Sequence, residues 1–154
     1  MGKLRDAVFR NDAEEVKSLL AAGMPADERD ADGRTPLMHA VIDGSTELVE
    51  LLLRGGANAS LSDANGYTAL HFAAQERRLE IAEMLLRFGV EVDARDKHGN
   101  TPLSKAVFYS QGSGEMISLL LRWGADRDLK NNYGVSPVGL ARSIANYDVA
   151  RFFE

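Results

Sequence analysis

The sequence repeats itself with a period of 33 residues, and this repetition limits the possible folds more than any other feature. Gly33, Gly66 and Gly99 share that spacing, and a threonine follows each of them two positions later. Leu52 recurs as Leu85 with the same period. One short unit cannot bury its apolar face alone, so a period of this kind indicates stacked units that share a continuous core.

Two helices are predicted in each unit. Near the start, apolar residues recur at 4, 7 and 8 and again at 16, 19 and 20, which is the spacing of one helix face. Thr35 and Pro36 suit the N-cap and first position of a later helix. Second helices are predicted to begin near Glu47, Glu80, Glu115 and Asp148, and the first three of them to end at Arg54, Arg87 and Arg122. Acids at the start of a helix and arginines at its end complement the helix dipole.

The stretch Asp63–Asp96 contains the run Asp-Ala-Asn-Gly-Tyr-Thr-Ala-Leu-His-Phe-Ala-Ala. It closely resembles the ankyrin repeat, and similar stretches cover nearly the whole chain. The resemblance implies an all-α repeat solenoid, an ankyrin-type stack of about five helix-turn-helix repeats with short β-turn fingers. The expected single domain, 1–154, divides into an N-terminal cap at 1–29, repeats at 30–62, 63–95 and 96–130, and a C-terminal cap at 131–154.

Two regions depart from the repeat. The interval from Gly99 to Gly134 is 35 residues, which places two added residues in the turn 108–114. Glycine and serine there predict a flexible turn, and deleting two of its residues is expected to preserve the fold because loop closure depends weakly on length. In the last unit Asn131 replaces the leading aspartate and Glu154 occupies a stacking position, as expected of a cap that faces water.

The resemblance also implies where a partner binds. In ankyrin-like proteins the turn tips and the exposed end of the first helix vary and form a concave groove with projecting fingers. Matched to this chain, the candidate partner-binding residues are Arg34, Asp43, Asn65, Tyr67, Gln75, Glu76, Lys97, His98, Asn100, Phe108, Tyr109, Asn132 and Tyr133. Aromatic residues are enriched among binding hot spots, so we expect some of the four aromatic ones to contact the partner. The alternatives are that Phe108 folds back over the lengthened turn and that Tyr67 and Tyr133 lie along neighbouring fingers.

Two further side chains have structural interpretations. Trp123 ends a second helix and is expected to pack on the convex side. His71 completes Thr68-Ala69-Leu70-His71, and in similar repeats this histidine forms hydrogen bonds between neighbouring loops, which favours a structural role over catalysis.

The composition argues against several kinds of chemistry. The net charge of −5 disfavours general nucleic-acid binding. The chain has no cysteine, and neither spaced metal ligands, an activated nucleophile nor a glycine-rich phosphate loop is visible. Arg77 and Arg78 lie among acidic residues, which indicates a solvated face of mixed charge. We expect no catalytic site, no cofactor and no metal.

The favoured function is therefore a non-enzymatic module that binds a protein partner, with no nucleic acid and no membrane involved. A dedicated inhibitor or immunity-type protein is an equally compatible alternative, and the acidic, capped chain slightly favours a single partner. A small enzyme or an engineered binder fits less well. The start of the chain lacks a signal core, so we expect a cytoplasmic monomer.

Overall fold

A computed structural model describes residues 2–154 as a stack of antiparallel helix pairs. The helices are α1 (Lys3–Phe9), α2 (Ala13–Ala21), α3 (Pro36–Asp43), α4 (Thr46–Arg54), α5 (Ala69–Gln75), α6 (Leu79–Arg87), α7 (Pro102–Phe108), α8 (Glu115–Arg122) and α9 (Pro137–Ser143). A 3-10 turn, Ala150–Phe153, follows α9. An isolated antiparallel bridge joins Ser62 to Thr68. The prediction of an all-α repeat stack is confirmed.

Capping side chains explain where the first helices of the later pairs begin. The side-chain oxygens of Thr35, Thr68, Thr101 and Ser136 each accept a hydrogen bond from the backbone N–H three residues later. Such a bond satisfies one of the donors left open at a helix start and contributes about 0.5–2 kcal/mol. The predicted ends of the second helices also hold, since α4, α6 and α8 end at Arg54, Arg87 and Arg122.

The core runs through the length of the stack. First helices pack on first helices, from α1 through α9, and second helices α2, α4, α6 and α8 pack on one another in the same order. Leu52, Leu85 and Leu120 are each fully buried at equivalent positions. Burial of a leucine contributes roughly 1.5–3 kcal/mol, so these positions fix the register of the stack.

The last unit differs from its prediction. No α-helix begins at Asp148, and a 3-10 turn from Ala150 takes its place. The Phe152 N–H donates to the Val149 carbonyl at 3.1 Å, which is the three-residue hydrogen bond of a 3-10 turn. Phe153 is nonetheless buried at the position equivalent to Leu120, while Glu154 is exposed.

The lengthened turn lies where it was predicted, between Phe108 and Glu115, but it is packed. Ser110 is buried in it. A β-carbon on Gly112 would lie 2.9 Å from the ring of Tyr147, and the ring of Phe152 lies against Gly114. The expectation of a free, flexible turn is therefore wrong, because the added residues form a surface for the C-terminal segment.

We also compared the helices with the length of a bilayer. Within residues 2–154, no helix is both long enough and apolar enough to cross a membrane.

Candidate functional site

The turns that precede the first helices are built by one polar side chain each. The Oδ1 atom of this residue accepts hydrogen bonds from the backbone N–H groups two and four positions later. The residues are Asp30, Asp63, Asp96 and Asn131, with all eight distances at 2.9–3.0 Å. Asn131, which the sequence suggested was a degraded position, keeps both bonds because an amide oxygen accepts as a carboxylate does. These turns are called the fingers below.

Main-chain hydrogen bonds join each finger to the next. The N–H of Ala64 donates to the carbonyl of Asp32 at 2.9 Å, and that of Lys97 donates to Asn65 at 3.0 Å. The N–H of Asn132 donates to His98 at 2.9 Å. The structure thus brings Asn65, Lys97, His98 and Asn132 into one continuous row.

Side chains reinforce this row. Lys97 Nζ donates to Asn65 Oδ1 at 2.9 Å, and Asn132 Nδ2 donates to the Lys97 carbonyl at 3.0 Å. His98 Nδ1 and the Tyr133 hydroxyl lie 2.9 Å apart. Five candidate side chains are therefore already held by their neighbours before any partner binds.

A nitrogen of a basic side chain lies close to the second carboxylate oxygen of each finger aspartate. Asp30 Oδ2 lies 2.7 Å from His39 Nε2, Asp63 Oδ2 lies 3.6 Å from Arg34 Nε, and Asp96 Oδ2 lies 3.3 Å from Lys105 Nζ. Burial alone would raise the pKa of Asp30, but hydrogen bonds from the Arg34 backbone and from His39 outweigh it and lower the pKa. Arg34, a candidate for binding, thus also has a structural role.

Lys105 is the least exposed of these three basic side chains, with 12% of its side chain accessible. Its ammonium lies 4.5 Å from the centre of the Tyr67 ring. Burial would lower the pKa of Lys105, but the Tyr67 phenol and the Asp96 carboxylate more than offset this and raise it. Lys105 therefore stays positively charged in a half-enclosed setting.

His71 has the bridging role expected of it. Its Nδ1 accepts from the Thr68 N–H at 3.1 Å, so Nε2 carries the proton and donates to the Asn100 carbonyl at 2.9 Å. Burial disfavours the charged ring and lowers the pKa of His71. The neutral ring therefore links one repeat to the finger of the next.

Tyr67 is half-buried and makes more contacts than the sequence suggested. Its ring stacks on His71 at 5.4 Å and tilts against Phe72 at 5.2 Å between centroids. Together with the Lys105 contact, these interactions make Tyr67 part of the packing between repeats.

Phe108, Tyr109 and Tyr133 are open to solvent. Their exposed fractions are 64%, 37% and 70%. Phe108 and Tyr109 contact each other edge to face at 5.0 Å. The alternative in which Phe108 covers the lengthened turn is therefore wrong. Trp123 is 42% exposed at the end of α8.

An open hollow of about 400 Å³ lies among these aromatic side chains. Its lining comprises Asn100, Ser104, Lys105, Phe108, Tyr109, Asn131, Tyr133, Val135 and Leu140. Four of the predicted partner-binding residues thus meet in one place, which we call the aromatic hollow.

The other candidates lie outside the lining of the aromatic hollow. Asp43 ends α3, Gln75 ends α5, and Glu76 follows α5 as its C-cap, so all three lie at the far ends of their helices from the fingers. Glu76 lines a second, more polar hollow of about 330 Å³ with Arg77 and Arg78.

The two arginines beside it both form hydrogen bonds. Arg77 donates to Gln111 of the lengthened turn at 3.0 Å, and Arg78 donates to the Ile42 carbonyl at 2.8 Å. Arg78 is half-buried, so the expectation of a solvated, mixed-charge face is wrong for this side chain, whereas Arg77 is exposed as expected.

Sequence reasoning missed Lys105 and Leu140 as lining residues. Both occupy the first-helix position held by His39 and Phe72 in earlier repeats, and the residue type changes at each occurrence. This variation between repeats was the feature of the sequence that could have marked the position as a candidate for binding. Ser104 was missed because it occupies the place of His71, which had a structural interpretation.

In residues 2–154 we find no group of three or more His, Cys, Asp or Glu side chains arranged to hold a metal ion.

The chain was also compared with known proteins. A family model described as ankyrin repeats (3 copies) matches residues 4–96 and 57–131. No curated protein matches the sequence.

Proposed function

Because the chain belongs to the ankyrin repeat family, we propose that it is a non-enzymatic module whose finger row and aromatic hollow bind one protein partner. Ankyrin repeats are generally protein–protein interaction modules, and the family is typically non-enzymatic. The proposal adds the location of the binding surface to this general role.

The observation that carries the proposal is the gathering of exposed aromatic side chains beside an already ordered finger row. Phe108 and Tyr133 keep most of their surface in water although nothing in the repeat requires large apolar residues there. An exposed apolar cluster of this kind commonly marks an interaction site. Fingers fixed by hydrogen bonds need little ordering on association, which lowers its entropic cost.

The test measures affinity for a partner identified by crosslinking and purification from the native cell. Tyr109→Ala and Tyr133→Ala are compared with Phe88→Ala and Trp123→Ala, which change exposed aromatic residues at the ends of second helices. Loss of a hot spot should cost at least about 2 kcal/mol, or roughly 30-fold in Kd, with circular dichroism unchanged.

The opposite pattern would contradict the proposal. If Phe88→Ala or Trp123→Ala weakens binding while both tyrosine variants bind like the parent, the interface lies on the second helices. That the chain acts as a cytoplasmic monomer stays a prediction, which light scattering and imaging in cells would check.

A further inference from the structure

We infer that the aromatic hollow holds one bulky apolar side chain of the protein partner, with an acidic residue of the same partner segment beside it. This inference rests on the proposed function and adds the chemistry of the bound segment.

The walls of the hollow indicate the apolar part of the ligand. Phe108, Tyr109 and Tyr133 contribute aromatic rings to the lining, and Val135 and Leu140 contribute aliphatic side chains. Transfer of apolar area out of water contributes roughly 25 cal/mol per Å². A partner that inserts a large apolar side chain into the hollow gains this binding free energy.

The charged groups in and beside the hollow indicate the charge of the ligand. Lys105 is in the lining, whereas no carboxylate is. Asp96 balances part of the Lys105 charge, with its Oδ2 atom 3.3 Å from the ammonium nitrogen. On the adjoining finger, Lys97 bonds the neutral amide of Asn65, so its charge is not neutralised by that contact. An acidic residue of the ligand complements both ammonium groups.

The distribution of charge along the chain also favours an acidic ligand. Residues 95–154 carry eight Lys or Arg and six Asp or Glu, whereas residues 1–94 carry ten and seventeen. The hollow thus lies in the positive part of an acidic protein. Repulsion from the distant acidic part is screened over about 8 Å at physiological ionic strength.

The N-terminal end of the stack offers a matched comparison. Phe9 occupies the same first-helix position as Phe108 and is also exposed, at 54%. Its ring packs edge to face on His39 at 4.7 Å, and His39 is paired with Asp30. That end therefore pairs its exposed ring with a carboxylate-bound imidazole and disfavours an acidic ligand.

The experiment uses the full chain and a displayed library of random linear peptides as the probe. Selected peptides are synthesised, and their affinities are measured by calorimetry for the parent, Phe108→Ala and Phe9→Ala. We expect the peptides to share one Trp, Phe, Leu or Met next to Asp or Glu. Phe108→Ala should weaken binding at least about 10-fold, and Phe9→Ala less than about 2-fold.

A Lys97→Gln variant tests the charge separately. It should lower the affinity of the selected peptides a few-fold and make that affinity less dependent on salt, as loss of a complementary rim charge does. Selection of basic peptides, or equal binding after the peptide acid is replaced by its amide, would overturn the acidic part of the inference.

Other outcomes separate this inference from the proposed function. Peptides that depend on Phe9 rather than Phe108 would overturn the inference while leaving the groove as the binding face. The same holds for a native partner that needs Tyr133 but tolerates Phe108→Ala. A library that yields no binder, together with a native partner insensitive to every tyrosine variant, would overturn both.

Discussion

The ring of Phe152 lies directly against Gly114 and leaves no room there for a β-carbon. Gly114 belongs to the lengthened turn, and Phe152 belongs to the 3-10 turn that ends the chain. The insertion in the fourth repeat and the shortened fifth repeat are therefore parts of one packing arrangement.

Gly114→Ala should destabilise the protein by about 1–3 kcal/mol, because the added methyl overpacks this contact. The backbone of Gly114 has a negative φ of −99°, so strain from a left-handed conformation is not involved. Urea unfolding of Gly114→Ala, Phe152→Ala and the double variant measures the coupling. Equal effects of Gly114→Ala in the presence and absence of the Phe152 ring would contradict the contact.

Deleting two residues from 110–114 should now also destabilise the protein, contrary to what the loop length alone predicts. Ser110 is buried, and Gly112 and Gly114 adjoin Tyr147 and Phe152. The shortened turn would lose these contacts. Thermal unfolding checks this, and a midpoint equal to that of the parent would show that the C-terminal segment packs equally well without them.

Leu85→Ala should lower the free energy of unfolding by roughly 2–5 kcal/mol, since the residue is fully buried and the substitution leaves a cavity. The loss should exceed that of Leu120→Ala, because α6 packs between two complete second helices. Glu83→Ala on the same helix is the control and should cost a few tenths of a kcal/mol through its pair with Arg87. Similar urea midpoints for the Leu85 and Glu83 variants would contradict the register.

Tyr67→Ala and Tyr133→Ala should differ in stability although both residues are on finger turns. Tyr67 contacts His71, Phe72 and Lys105, and its loss should cost about 1–2 kcal/mol. Tyr133 is 70% exposed, and its loss should change stability by less than about 0.5 kcal/mol. Chemical denaturation of the two variants checks this, and equal losses would contradict the packed position of Tyr67.

The stability of the protein should fall as the pH drops below about 6.5, the usual pKa of histidine. Burial lowers the pKa of His71 in the folded chain, so the unfolded chain binds its proton first and acid favours unfolding. Asp96 and Asp63 oppose this shift, while Lys105 adds to it.

The matched variant for this prediction is His71→Gln, which keeps a donor toward Asn100 but does not titrate. Unfolding free energies at pH 7 and pH 5 should differ less in this variant than in the parent. Asp30 does not affect this comparison. Its pKa is lowered in the folded chain, so the stability that its ionised form contributes is lost only below its usual pKa of 3.8. Identical pH profiles would show that His71 does not cause the effect.

The sequence predicted the repeat well because the same few residues do the same work in each unit. The capping threonines, the buried leucines and His71 all occupy their expected places. Each of these roles depends on neighbours that recur at a fixed spacing, so periodicity alone locates them.

The candidate site was less predictable because it depends on contacts between residues that do not recur. Tyr67 was expected at a variable finger position, yet its burial depends on Lys105 in the following repeat. The packing of the lengthened turn depends in the same way on Tyr147 and Phe152, and no aromatic residue recurs at these positions in the other units. The repeat period of the sequence does not reveal contacts between residues that occur only once.

The hydrogen bonds that join successive fingers use main-chain atoms at Ala64, Lys97 and Asn132. Because every residue except proline carries the same backbone donor, these links make no demand on which side chain stands at a tip. The main-chain part of the row's assembly and the choice of ligand are thus encoded by different atoms. A designer could exchange the tip residues to retarget the surface while the scaffold continues to hold its shape.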